Sequence, residues 1–322
     1  MNINENSQEL VNMITEASTI FLMAHKDLDL DAINSCIGID YFLKKYKKKA
    51  YIIIDDKRKE PGVKKVLQNL DKKIKLIKSS KVINKKDSKS ILIILDTNKA
   101  KLTQNSDIIK QFDKIINIDH HDKSIESIQS SLSIIDSSAS STCEMIIELI
   151  ENNNIELNSY ISTLLLGGII LDTNYFKSHS TAKTFYYSYR LMDNGAKMCD
   201  INEWLKQDIK DYKRRQKIIS TVKVINDIAI AKGTQRSEYQ KEEIAKTADS
   251  LLTFNKIKAS FVIAKIDKNV VGISGRSNGS INVGKVLEQF NGGGSETEAA
   301  ARIEDDNINN VIEELSKLIR NL

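Results

Sequence analysis

The sequence predicts an α/β protein of two domains: an N-terminal domain on a mostly parallel sheet, then a smaller C-terminal α/β domain. Three observations carry that prediction. Short apolar runs alternate with helical patterns as far as Asn153, the signature of strands joined by crossover helices. Several of the runs end directly on an ionisable residue. Beyond residue 226 the pattern changes to longer strands, and 322 residues suffice for two domains at about 100–200 residues each.

Taken in order, residues 5–18 predict a short helix. "STIFLMA" (18–24) is a buried strand ending at His25. "DAINSCIGIDYFLKKYKK" (31–48) has helical spacing and a lysine-rich end that complements the helix dipole, and Asp31 is placed to cap it. "AYIII" (50–54) is a strand and "VKKVLQNL" (63–70) a helix. "SILIIL" (90–95) and "KIINI" (114–118) are strands ending at Asp96 and Asp119, and "SSTCEMIIELIENN" (140–153) is a helix with a Ser/Thr start. The long charged stretch 201–225 leads out of the first domain. The boundaries expected are 1–204, a helical connector 205–227, and 228–322. In the last segment "IAIAKG" (228–233), "ASFVIAKI" (259–266) and "VVGISGRS" (270–277) are strands, and "VGKVLEQF" (283–290) is a helix.

Charge and composition narrow the function. The formal net charge is +5, from 48 basic and 43 acidic residues spread along the chain. A small anionic substrate fits that excess at least as well as long nucleic acid, and no long nucleic acid is expected as a partner. The N-terminus is polar and lacks the apolar core of a secretory signal, and no apolar run approaches the roughly 18 residues of a membrane span. The expected location is the cytoplasm, without a membrane contact. Cys36, Cys143 and Cys199 are far apart and odd in number, which argues against both a disulfide framework and a thiolate zinc site.

The main signal is where the ionisable residues fall. His25, Asp29 and Asp31 follow one strand, Asp96 another, Asp119-His120-His121 a third, and Asp172 follows "LLLGGIIL". In an open α/β sheet the carboxyl ends of the strands meet at the edge where ligands bind, so these segments can converge. Each alone is an ordinary turn or cap residue. Together, so many carboxylates would repel one another, and a divalent cation resolves the conflict. Mixed Asp and His donors suit Mn²⁺ or Mg²⁺, and two ions about 3.5–4 Å apart are a standard arrangement for phosphoester hydrolysis.

At these residues "MAHKDLDLDAI", "LDTNKAKL", "IDHHDKS" and "GIILDTNYF" resemble the motifs of DHH-family phosphoesterases. "GISGRSNGSINVGKVLEQFNGGGSETEAA" resembles the DHHA1 domain that follows in that family. Within the family the sequence is most similar to the catalytic module of GdpP-type cyclic-di-AMP phosphodiesterases. The full-length type carries membrane helices, a PAS domain and a degenerate GGDEF domain ahead of this module, so the expectation here is the module standing alone. The resemblance implies a first ion on His25, Asp29 and Asp96, and a second on Asp31, Asp96, His120 and Asp172, with Asp96 bridging. It implies two Mn²⁺, with Mg²⁺ or another divalent ion as the alternative, and hydroxide attack that opens cyclic di-AMP to pApA. His121 would contact the substrate phosphate, with Asp119 orienting a histidine. Arg276 would bind phosphate, and Asn282 with the loop Gly292, Gly293, Gly294 and Ser295 would line the substrate side. Linear dinucleotides or short RNA are the alternative substrates, a nucleotide-binding protein without activity is the alternative class, and a homodimer is the assembly the family implies.

The loop "NGGGSETEAAA" (291–301) departs from the family's pattern of four glycines, a histidine and a helix opening Asn-Ala-Ala. Ser295 stands in the histidine's place and Glu298 in the asparagine's. Ser295-x-x-Glu298 is also a helix capping box, so local folding predicts a helix starting there.

Overall fold

The computed structural model describes residues 3–55, 60–305 and 307–320. The chain forms two compact units, Met1–Lys206 and Gln207–Leu322.

Among its described residues the first unit holds six strands: β1 (Ile20–Met23), β2 (Ala50–Ile53), β3 (Leu76–Ile77), β4 (Ile91–Leu95), β5 (Lys114–Asp119) and β6 (Leu132–Ile135). They pair in the order β3-β2-β1-β4-β5-β6, all parallel. β1, β2 and β4 are buried along their whole length, which is why they appear in the sequence as unbroken apolar runs. The strand order reverses between β1 and β4, so the loops leaving those two strands diverge and open a crevice.

Among the described residues, eight α-helices accompany this sheet: α1 (Ile3–Glu16), α2 (Leu30–Lys45), α3 (Pro61–Gln68), α4 (Ser106–Ile109), α5 (Thr142–Asn152), α6 (Ser159–Asp172), α7 (Ala182–Asp193) and α8 (Met198–Trp204). The main core joins one sheet face to α1, α2, α5 and α6, with Ile33, Ile37, Ile146 and Leu165 among its members. One sequence expectation changes, and one run left without an element gains one. "LLLGGIIL" is helical: Ile161–Ile170 are all buried within α6, and Asp172 is its last residue. A helix apolar on every side is a core helix, and its period disappears from the sequence. The cap of α2 is Asp29, whose carboxylate accepts from the Ala32 N–H at 2.9 Å, and not Asp31. Gly168 lets α6 approach closely: a Cβ there would lie 2.5 Å from Cys143 Sγ and 2.7 Å from Asp31 Oδ1. All three cysteines are free, and only Cys199 is exposed.

The second unit holds α9 (Ile209–Ile219), β7 (Lys223–Ile225), β8 (Ile228–Lys232), α10 (Lys241–Leu252), β9 (Ala259–Asp267), β10 (Val270–Ser277), α11 (Val283–Glu288), β11 (Gly293–Gly294), β12 (Glu298–Ile303) and α12 (Ile308–Arg320). Its mixed sheet runs β11-β12-β10-β9-β8-β7, parallel only between β8 and β9. Most of the segment 205–227 lies inside this unit, as α9 and as β7, which pairs with β8.

The helix expected behind Ser295 is absent. Glu298–Ile303 is a strand that pairs antiparallel with β10. Ser295 Oγ does accept from the Glu298 N–H at 3.1 Å, but the return contact runs from the Ser295 N–H to the Glu298 carbonyl at 2.7 Å, closing a tight hairpin turn. Ala299 and Ala301 are buried and Glu298 and Ala300 exposed, the alternation of a strand. Pairing along β10 overrides the helix preference of the alanines. Gly294 has φ +153°, and a Cβ there would meet the Glu298 carbonyl oxygen at 2.2 Å, so this turn requires a glycine.

Candidate metal centre and substrate pocket

The acidic cluster sits at the carboxyl edge of the first sheet. The loop after β1 brings His25, Asp29 and Asp31, and β4 brings Asp96. β5 ends at Asp119 with His120 and His121 behind it, and α6 delivers Asp172 from its C-terminus. Asp96 has a left-handed backbone, φ +57°, which turns the chain sharply off β4. Its N–H donates to the Ile118 carbonyl at 3.1 Å. Asn117 donates to the Ile94 and Thr97 carbonyls, and Asn98 to those of His121 and Asp122. These two amides lock the turn after β4 against β5 and the loop behind it.

The two oxygens of Asp96 face different neighbours. Oδ2 lies 3.3 Å from His25 Nε2, which is 3.6 Å from Asp29 Oδ2. Oδ1 lies 3.5 Å from His120 Nε2, which is 3.2 Å from Asp172 Oδ2. Two groups of donor atoms result, each within 4.8 Å of one another: His25, Asp29 and Asp96, and Asp31, Asp96, His120 and Asp172. Asp96 belongs to both. His121 and His120 form a third group with Asp96, but His121 Nδ1 is held by Asp119 Oδ1 at 2.7 Å. The other Asp119 oxygen is buried with no hydrogen-bond partner among the described residues.

Electrostatics show the crowding. Burial, with repulsion from Asp172 and Asp96, pushes the Asp31 carboxyl well above its ordinary range. Burial raises Asp172 to about 6, against the pull of its His120 hydrogen bond. Burial also opposes ionisation of Asp96, but hydrogen bonds from His120 and His25 overcome it and hold Asp96 well below the usual range. His25 resists its own burial through hydrogen bonds to Asp29 and Asp96 and rises to about 11. The cluster therefore gathers positive charge wherever it can, which is the behaviour of a cation site. Hard carboxylate oxygens with two imidazoles, and no thiolate among them, fit Mn²⁺ or Mg²⁺.

Sequence reasoning missed the residues behind these donors. Asp31 is fully buried, and its oxygens accept from the Thr142 and Cys143 N–H groups at 2.8 and 2.9 Å. Thr142 Oγ1 donates to Asp96 Oδ1 at 3.0 Å. The only signal was the Ser/Thr start of α5, which capping alone explains. Asn98 and Asn117 gave no signal.

In the second unit a cavity of about 660 Å³ is lined by Arg276, Gly292, Gly293, Gly294, Glu298 and Lys241, among others. Arg276 and Glu298 are cross-strand partners. The guanidinium is engaged by Asp249 at 2.8 Å and faces Glu298 at 3.6 Å. Asn282 and Ser295 do not line this cavity. Asn282 caps α11 through the Lys285 N–H at 3.0 Å and donates to Glu296 at 3.3 Å.

Comparison with known proteins agrees with this division. Residues 19–169 match the DHH family, N-terminal domain, and residues 219–321 match the DHHA1 domain. The chain is 32% identical to the cyclic-di-AMP phosphodiesterase GdpP of Geobacillus thermodenitrificans over 97% of its own length and 49% of the relative's. It thus spans about half of that relative. It is 24% identical to the bifunctional oligoribonuclease and PAP phosphatase NrnA of Thermus thermophilus, over 94% of this chain and 89% of that one. Among solved structures, an exopolyphosphatase-related protein from Bacteroides fragilis superposes with a TM-score of 0.83 at 21% identity, covering 98% of this chain and 97% of that one, so the fold is shared end to end. The chain carries the N-terminal domain of the DHH family, with a DHHA1 domain behind it.

Proposed function

We propose that this chain is a metal-dependent phosphodiesterase that hydrolyses cyclic di-AMP to linear pApA. The observation that carries the reading is Asp96, buried between two donor groups with one oxygen toward each. His25, Asp29 and Asp96 would hold one divalent ion, and Asp31, Asp96, His120 and Asp172 the other. When bound, such ions supply Lewis acidity and acidify a water for attack on phosphorus. The water oxygen adds to phosphorus, the P–O3′ bond breaks, and the departing 3′ oxygen takes a proton. Asp119 occupies Nδ1 of His121, leaving Nε2 of that half-exposed ring for a substrate phosphate oxygen. Arg276 and the Gly292–Gly294 loop would make contacts to the nucleotide. The similarity to cyclic-di-AMP phosphodiesterases supports the cyclic substrate. The similarity to the oligoribonuclease, which extends over nearly all of that relative, favours a second reading: cleavage of linear dinucleotides and short oligoribonucleotides.

Purified protein with Mn²⁺ and cyclic di-AMP is expected to yield pApA, resolved by chromatography. Rapid conversion of pApA to AMP with the cyclic compound untouched would favour the second reading. Asp96→Ala should lower either activity by at least about 10³-fold, since it removes a donor from both groups. Turnover at the wild-type rate in that variant would exclude the shared-carboxylate site.

A further inference from the structure

We infer that Thr142 is a positioning residue for Asp96, and that the N-terminus of α5 aligns both Asp31 and Asp96 for their two ions; the inference rests on the two-ion reading above. The first N–H groups of a helix have no partner within the helix. In α5 the Thr142 and Cys143 N–H groups each take one oxygen of Asp31. The Thr142 hydroxyl has a single proton, and it goes to Asp96 Oδ1 at 3.0 Å.

That bond selects a rotation of the carboxylate. With Oδ1 held toward His120, Oδ2 is left toward His25, so each donor group receives one oxygen. Of the other side chains close to this carboxylate, His25 and His120 are ion donors themselves and turn to an ion when one binds, and His121 Nδ1, 3.9 Å away, is held by Asp119. Thr142 is the fully buried donor outside both groups, so it can hold the carboxylate in the same rotation with or without ions.

Helix formation does not ask for this hydroxyl. Ser141 is the N-cap and accepts from the Glu144 N–H at 3.1 Å, so any residue of Thr142's size would continue the helix. The start of α5 is also fastened from behind. The buried Glu144 carboxylate accepts from the Ser140 N–H and hydroxyl and from Thr184 Oγ1 of α7 at 2.7 Å. The arrangement is a rigid template: Thr184 and Ser140 fix Glu144, Glu144 fixes the helix start, and the helix start sets both aspartates.

The test is calorimetric titration of the full chain with Mn²⁺, for wild type and for Thr142→Val, Thr142→Ala and Thr142→Ser. Val keeps the shape and removes the donor, Ser keeps the donor, and Ala serves if Val fails to fold. The wild type is expected to bind two ions. Val and Ala should weaken at least one of them by about 10–100-fold, with Ser staying within about threefold of wild type. Wild-type affinities in Val or Ala, or equal losses in Val, Ala and Ser, would overturn the inference while leaving the two-ion reading in place. A wild type that binds no Mn²⁺ would sink that reading and this inference with it.

Discussion

Asp119 illustrates how little of a site lies in its direct donors. It is fully buried, stands one residue before His120, and belongs to none of the donor groups; its carboxylate holds His121 instead. Replacing it with Asn keeps the size and one acceptor oxygen but removes the charge that strengthens its bond to His121, so the hold on that ring weakens. Asp119→Asn is expected to lower kcat by about 10–100-fold, the usual effect of losing such an outer partner, with Mn²⁺ affinity changed far less. Steady-state kinetics beside calorimetry would show the split; equal losses in both would make Asp119 a metal-binding residue. Arg276 shows the opposite situation. Its charge is already shared with Asp249 and Glu298, so a phosphate there must compete with two carboxylates. The family resemblance named this arginine, but its partners come from α10 and from the register of β12, which no single motif displays.

At the scale of elements, the legible strands were those whose signal is local. β1 and β4 are continuous apolar runs, and β5 a run broken only by Asn117; all three stop on an acid or a histidine, and both features stand side by side in the sequence. Asp172 was harder, because eight apolar residues look alike in a buried strand and a buried helix, and only the length of α6 separates the two. The hairpin of β11 and β12 was misread for a physical reason. Ser-x-x-Glu and three alanines are strong local helix signals, whereas the edge of β10 that recruits them lies more than twenty residues earlier in the chain. The hairpin makes a direct prediction. Gly294→Ala places a Cβ against a carbonyl and is expected to destabilise the second unit by about 1–3 kcal/mol, the cost of a strained backbone site. Gly293→Ala meets nothing within 4 Å and should change stability by less than about 0.5 kcal/mol. Denaturant titration of both variants checks this, and equal stabilities would mean that residues 293–298 do not form this turn.

For the molecule as a whole, each unit is packed around its own apolar clusters. The first unit wraps its sheet in helices and places acidic side chains at the carboxyl edge, where the strand order reverses. The second unit has its own main core, built on Phe261, Ile273, Val286 and Leu315, and carries a cavity lined by small and apolar residues beside Lys241, Arg276 and Glu298. The alternation of strands and helices made the two-domain α/β plan legible, and acids placed directly after strands made a convergent cluster legible, while its division into two donor groups came only from the family resemblance. What the sequence withheld was the support: Thr142, Glu144, Asn98 and Asn117 act through contacts between elements distant along the chain. The central claim is that Asp96 is shared by two ions. Crystals grown with Mn²⁺ and measured for anomalous scattering test it most directly. The account predicts two peaks about 3.5–4 Å apart, one among His25, Asp29 and Asp96 and one among Asp31, Asp96, His120 and Asp172. A single peak, or peaks that leave Asp96 uncoordinated, would contradict it.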